Sequence, residues 1–309
     1  MRVAFFGLPL AALLLHHDGH RIVYAGICRR EALGVRRVRR VLGRVVRMVP
    51  DLSDRAAVAR VRAAKPDLIV SWFWTKRLPK SVLAIAPAIG VHPSLLPRHR
   101  GPDPYFWAID RGDRETGVTA HVLDREYDTG AILGRKKLRI EPTWSSWTLA
   151  KKLDRPSLTL LREIVSKYQN GTPPKPVAQP KRGVTEAPSP TDDDLELRWR
   201  WSADRLVRRI RAASPWPGAF TELGGETLVV TDAEATDRFP LALAPGEAAI
   251  RADGAVVVRA GNGAVRLLAA RREDDESTLD EASLRRLVEK MSGENPVRSS
   301  SLAKPARLA

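Results

Sequence analysis

Cys28 is the only cysteine in the chain, so an intramolecular disulfide and a cysteine-rich metal site are both excluded. Alone, it is expected to behave as a small buried apolar residue in a reducing compartment, which points to the cytoplasm. No apolar run is long enough to span a bilayer. The stretch Met1 to Leu15 has the apolar character of a leader peptide. Gly7 and Pro9 interrupt it, however, and no small-residue cleavage site follows before His16, His17 and Asp18. There is no Gly-x-Gly-x-x-Gly loop, so no dinucleotide site is assigned to Gly7 to Leu10. No internal repeat is visible, and neither membrane contact nor an obligate protein partner is expected.

Acidic charge is scarce: 36 Asp and Glu stand against 52 Lys and Arg, a net +16. That surplus favours nucleic acid, phosphorylated substrates or acidic lipid as partners, although a genome-wide arginine preference produces the same excess without any polyanion. With 309 residues, 43% of them hydrophobic, two domains are expected.

The alternation along the chain supports this. Arg2 to Phe6 is a short apolar run, Leu8 to Leu15 has helical composition, and Ile22 to Ile27 is a second apolar run, the opening of a β-α-β unit. The helix-like Asp54 to Ala64 and the strand-like Asp67 to Ser71 continue it. Gly90 to His92, Thr119 to Leu123 and Ala131 to Ile140 read as further strands, and Thr148 to Lys167 as a closing helix. The expected class is α/β, an open and mostly parallel sheet with flanking helices over residues 1–170. In such sheets ligands lie beyond the carboxyl ends of strands. Residues 171–194 are rich in proline, lysine, threonine and aspartate and read as a linker. Residues 195–290 give a helix, Ser202 to Ala213, and then short runs separated by glycine, aspartate and asparagine, the pattern of a small antiparallel β-barrel-like domain. Residues 291–309 read as a disordered tail. Arg29 to Arg47 reads as a basic amphipathic helix, with Arg36, Arg40 and Arg44 on one face and Val38, Leu42 and Val45 on another.

Two segments carry chemistry. Gly90-Val91-His92 ends a strand and runs into the proline-bounded loop Pro93 to Gly101, and a histidine at that point suits general acid-base work. Taken singly, it is more readily a core histidine bonded to a carbonyl. Asp124 to Gly130 is a carboxylate-rich turn between two strands, with Asp128 lying 36 residues after His92. Trp72-Phe73-Trp74 follows a strand, where its rings suit either a ring-stacking pocket or ordinary core.

The combination His92, Ser94-Leu95-Leu96-Pro97, Arg100-Gly101, Thr116-Gly117-Val118-Thr119 and Asp128-Thr129-Gly130 resembles the folate-dependent formyltransferase family in order and spacing. Arg211 to Phe220 is similar to the start of the C-terminal domain of methionyl-tRNA formyltransferases, a small barrel of oligonucleotide-binding type. The resemblance implies 10-formyltetrahydrofolate as co-substrate, lying along Ser94, Leu95, Leu96 and Pro97. It implies attack of a substrate amine on the formyl carbon, with Asp128 relaying the proton and orienting His92, and His92 donating to the developing oxyanion. No metal is required. The amine of methionyl-tRNA is the expected acceptor, which would place the chain in one-carbon metabolism and the initiation of protein synthesis, with tRNA as partner. In that family a basic loop corresponding to Arg29 to Arg47 reaches the tRNA acceptor end.

Two positions depart from the family's pattern. Gly90 occupies the place of an asparagine taken to donate to the oxyanion, and loss of one such donor costs on the order of 3 kcal/mol. Glu126 stands where glycine is common. The loop His92 to Gly101 also resembles the hydrolase domain of 10-formyltetrahydrofolate dehydrogenase, which lacks that asparagine. An amino sugar or other small amine, water in a hydrolase, and a catalytically silent RNA-binding paralogue therefore stand as alternatives.

Overall fold

The computed structural model describes residues 1–292; the expected tail lies outside the described residues from 293 onward. The chain forms two compact units. The first comprises Met1–Pro104, Arg114–Ile140 and Ala150–Ser189; the second comprises Tyr105–Asp113, Glu141–Leu149 and the chain from Pro190.

The first unit is built on β1 (Arg2–Gly7), α1 (Pro9–His17), β2 (Arg21–Ile27), α2 (Val35–Leu42), β3 (Val46–Met48), α3 (Arg55–Ala63), β4 (Leu68–Trp72), α4 (Lys80–Leu83) and β5 (Ala88–His92). After α5 (Pro104–Asp110), which beyond Pro104 belongs to the second unit, come β6 (Glu115–Val122), β7 (Ile132–Arg139) and the long α6 (Ser146–Gln169), whose first turn also belongs to the second unit. The sheet order is β3-β2-β1-β4-β5-β6-β7. Strands β3 to β5 pair in parallel, whereas β5–β6 and β6–β7 are antiparallel. This is the open, mostly parallel sheet expected. The central β1 is fully buried at Val3, Ala4, Phe5 and Phe6, as a strand covered on both faces must be. Asp54 caps α3 by accepting the N–H of Ala56 at 2.9 Å.

The arginine-rich stretch is helical over a shorter span than its periodicity suggests. Its helix α2 lies between Gly34 and Gly43, and Gly43 takes φ 61° and ψ −128°, a conformation that ends a helix and that glycine tolerates. The residues after it turn through Gly43–Val45 and become the edge strand β3. Val38 is fully buried, while Arg36, Arg37, Arg39 and Arg40 are exposed. Trp72 and Trp74 belong to the core. The Trp72 indole donates to Ser157 Oγ at 3.0 Å, and Trp74 packs edge-on against Phe6 within the apolar cluster around Ile69. Cys28 is half-buried with its thiol 3.4 Å from the Phe73 carbonyl, and burial pushes its pKa up.

Residues 171–189 are ordered with the first unit and Ala187 is fully buried, so the proline-rich segment is part of that unit's structure. Prolines stop it forming helix or sheet of its own, and it bonds to neighbouring loops instead.

The second unit carries α7 (Asp192–Leu195), α8 (Ala203–Ala213), β8 (Ala219–Leu223), β9 (Glu226–Thr236), β10 (Ala248–Ile250), β11 (Val256–Arg259), β12 (Ala264–Arg272), β13 (Thr278–Asp280) and α9 (Glu281–Ser292). Its strands form one six-stranded antiparallel sheet in the order β10-β11-β12-β9-β8, with β13 paired to β12. Arg209 on α8 is buried and forks onto Asp110, Nε to Oδ1 at 2.6 Å and a second nitrogen to Oδ2 at 3.0 Å, with the rings of Phe106 and Trp201 within 5.5 Å. Among the described residues no helix is long and apolar enough to cross a membrane.

Removing one partner of this buried fork leaves an uncompensated charge, so Arg209→Met should cost about 3–5 kcal/mol of unfolding free energy. Arg209→Met with Asp110→Leu should cost distinctly less. Urea unfolding of the three proteins checks this; equal losses in the single and double variants would refute the charge argument.

Candidate active site

His92 is the last residue of β5, where the strand's backbone is held by β4 on one side and by Thr119 of β6 on the other. The following loop is fastened by its own polar groups. Thr119 Oγ1 donates to the Ser94 carbonyl at 2.7 Å and accepts from Leu96 N–H at 3.1 Å, and Ser94 Oγ donates to the Arg98 carbonyl at 2.6 Å. The Arg135 guanidinium reaches the Leu96 carbonyl from β7. Consequently Ser94 and Leu96 turn their side chains into the protein and Pro97 is buried, while Leu95 is half-buried. A ligand lying along this loop meets its backbone and Leu95 more than the hydroxyl of Ser94.

Asp128 sits in the turn between β6 and β7, at φ 56°. Its Oδ2 accepts the Gly101 N–H at 3.0 Å and lies 3.4 Å from His92 Nδ1. Its Oδ1 lies 3.4 Å from Nε2 of a second buried histidine, His121, on β6. The other nitrogen of each ring is engaged by a backbone carbonyl: His92 Nε2 donates to His99 at 2.7 Å, and His121 Nδ1 donates to Val122 at 2.9 Å. His92 and Asp128 are thus brought together as the motifs suggested. The N–H that His92 was expected to offer an oxyanion is bonded to His99.

Burial alone would raise the pKa of Asp128, but the imidazoles of His92 and His121 and the Gly101 N–H outweigh it and hold the carboxyl well below the usual carboxylate range. Burial lowers the pKa of His92, and the Asp128 charge offsets only part of that, so His92 is neutral at neutral pH.

The proline-rich segment crosses both loops. Thr185 Oγ1 accepts the His99 N–H at 2.8 Å, the Arg100 N–H donates to the Thr185 carbonyl at 2.9 Å, and Ala187 N–H donates to the Arg100 carbonyl at 2.6 Å. Gln179 joins the two loops: its amide donates to the carbonyls of Asp128 and Gly130 at 2.7 and 2.8 Å, and its oxygen accepts from Arg100 at 2.7 Å. At Gly101, φ 117°, a Cβ would stand 2.8 Å from the Ala187 carbonyl, so glycine is what lets this segment pass. Sequence reasoning missed His121 and Gln179. Strand alternation puts His121 on the same face as Thr119, but its pairing with Gly90 is a matter of register that alternation does not give.

The two departures at positions 90 and 126 have different weights. Glu126 is exposed, 3.5 Å from Arg77, without the positive φ that would call for glycine. At Gly90, an added Cβ would meet Leu123 Cδ2 at 2.8 Å, so a side chain there requires the tip of Leu123 to turn aside.

Residues 41–165 match the formyl transferase family and residues 191–281 match the formyl transferase C-terminal domain. A methionyl-tRNA formyltransferase of Anaeromyxobacter dehalogenans is 35% identical over 285 residues, covering 87% of this chain and 91% of the relative. The chain belongs to the formyl transferase family. Another methionyl-tRNA formyltransferase, from Acidiphilium cryptum, is 39% identical over 86% of this chain and 94% of its own. A third, from Myxococcus xanthus, is 40% identical, and the match spans 67% of this chain and 66% of that relative. Among solved structures, HypX from Aquifex aeolicus in complex with tetrahydrofolic acid superposes with a TM-score of 0.66 at 22% identity, covering 95% of this chain and 48% of HypX. An N-formyltransferase from Helicobacter canadensis gives a TM-score of 0.66 at 12% identity over 86% of this chain and 98% of its own. These structures establish the shared fold of this formyl transferase.

Two outcomes follow from the geometry. Gln179→Ala frees both loops, so kcat for formyl release should fall roughly tenfold or more, the scale of effect that a small misplacement of reacting groups produces, with thermal stability within a few degrees. Unchanged kcat would mean that the loops hold without it. The depressed pKa of His92 means that, below its ordinary value of 6.5, the unfolded chain binds a proton the folded chain refuses. This site therefore costs stability as pH falls from 7 to 5, and His92→Phe should flatten that decline in a series of thermal melts.

Proposed function

We propose that this formyl transferase moves the formyl group of 10-formyltetrahydrofolate to the amino group of methionyl-tRNA. The observation that carries the proposal is the 35% identity across 91% of a methionyl-tRNA formyltransferase, a span that includes both the sheet unit and the antiparallel unit. A bond forms between the amine nitrogen and the formyl carbon, the bond from that carbon to the folate nitrogen breaks, and one proton passes from the amine to the folate nitrogen. The folate supplies the activated formyl group. The chain's own part is proton handling at the His92–Asp128 pair: an ionised carboxylate and a neutral imidazole 3.4 Å apart are suited to accept a proton and release it again. Ser94 to Pro97 would border the folate through backbone and Leu95.

The exposed arginines of α2 support a polyanionic acceptor. Arg36, Arg37, Arg39 and Arg40 lie on one short helix whose first turn holds no acidic residue. Gly90 favours one second reading, formyl transfer to water, because the amine-transferring relatives are expected to carry an asparagine there.

Incubation of the full chain with 10-formyltetrahydrofolate, with and without methionyl-tRNA, separates the two by product. Formyl-methionyl-tRNA is expected; formate at the same rate in both mixtures would establish the hydrolase and refute the transferase. The full chain is required, since truncation before residue 190 strips Asp110 of Arg209. Binding of tRNA should weaken linearly on a log-log plot against salt as condensed counterions are released. Arg36→Ala with Arg40→Ala should reduce that slope by about two, one for each lost phosphate contact. An unchanged slope would place the RNA elsewhere.

A further inference from the structure

Gly90 and His121 are direct partners across the β5–β6 pairing, and beside residue 90 stand the tip of Leu123 and, next to it, the His121 ring. A Cβ on residue 90 would stand 3.7 Å from His121 Nε2. That nitrogen is 3.4 Å from Asp128 Oδ1, on the opposite side of the carboxylate from His92. Polar reach lost from β5 is thereby matched by polar reach gained from β6, at the same point along the two strands.

The hydrogen positions are constrained by the partners. A carbonyl oxygen only accepts, so His121 Nδ1, 2.9 Å from the Val122 carbonyl, carries a hydrogen, as does His92 Nε2 at 2.7 Å from the His99 carbonyl. Were both rings neutral, each would turn a lone pair toward a carboxylate oxygen. Three groups with only acceptors facing one another in a buried site repel, so the cluster holds one further proton. His92 is the ring kept neutral, and the Gly101 N–H already serves the oxygen it faces. Nε2 of His121, facing the other oxygen, is where the additional proton is held.

We infer that His121 is a positioning residue for formyl transfer: as an imidazolium it orients Asp128 from β6 and holds the proton that Asp128 relays, in place of a side chain at position 90. This rests on the formyl-transfer reading above. The proton account balances. The cluster takes one proton from the attacking amine and gives one to the departing folate nitrogen, ending with the number it began with. The titratable groups gathered around the carboxylate are His92 from β5, His121 from β6 and His99 from the loop.

The test uses the full chain with 10-formyltetrahydrofolate and methionyl-tRNA, following formyl release. His121→Leu is expected to lower kcat by about a hundredfold, the lower end of what acid-base groups contribute, with KM for the folate within about threefold. His121→Gln can still donate to Asp128 but holds no titratable proton. Its kcat should stay low, and the alkaline limb of its pH–rate profile should be lost. His92→Ala serves as reference. If His92→Ala is inert while His121→Leu and His121→Gln run at the wild-type rate with the wild-type profile, the inference is overturned and the site reading stands. If His92→Ala also runs at the wild-type rate, the site reading falls and takes the inference with it. Nitrogen-15 NMR of the histidine rings in the unaltered protein decides the matter should the variants fail to fold. Two protonated nitrogens on His121 at pH 7 support the inference, and an unprotonated Nε2 overturns it.

Discussion

A carboxylate placed mostly out of water is tolerated only when its charge is answered locally, and Asp128 is answered by His121 from β6 and by the Gly101 N–H from the loop, with the His92 ring of β5 beside it. Each of those groups is in turn fixed by something else. The two rings are pinned through their far nitrogens by carbonyls, and Gly101 is held beneath Ala187. The site is therefore a chain of dependencies that ends in sheet hydrogen bonds, which gives its geometry a rigidity that loops alone would lack. The antiparallel pairing of β6 with β5 sets Gly90 opposite His121 and His92 opposite Thr119.

Much of this was legible in the sequence. Alternating apolar runs and helical stretches gave the open sheet, because a strand covered on both faces has little choice of composition, and β1 shows it. His92, Asp128 and the turn residues near them stood out as polar groups at strand ends, where the backbone is held but the side chain is free to act. The spacing of 36 residues has a plain physical content: it is the length of chain needed to leave β5, form the loop and α5, and return along β6.

What escaped the sequence has equally definite causes. Composition marked residues 171–194 as a spacer because proline suppresses regular structure, yet proline does not prevent neighbouring residues from bonding to other loops, and Gln179 and Thr185 do so. The arginine periodicity over 29–47 suggested one long helix, but Gly43 ends it and the following residues gain more by pairing with β2 at the sheet edge. His121 looked like one residue of an alternating strand. Its meaning depends on a cross-strand neighbour that has no side chain, and pairing register is not written in either strand alone. The aromatic triplet was ambiguous for a related reason: Trp72 is core because Ser157, 85 residues away, supplies its indole with an acceptor.

The crossing of Ala187 over Gly101 has a consequence for how chains of this architecture can vary in length. The segment after α6 is anchored at Val177 by its bridge to Ile132, at Gln179 by both loops, and at Thr185 and Ala187 by the loop after His92. Between Val177 and Ala187 an added or deleted residue shifts every later anchor out of step with its partner. At Gly171 and Thr172 the backbone bonds run back only to the end of α6, at Tyr168 and Lys167. Insertions and deletions among natural variants of this chain should accordingly collect ahead of the stretch Val177–Ala187, leaving a proline-rich segment that drifts in composition while its length is held constant.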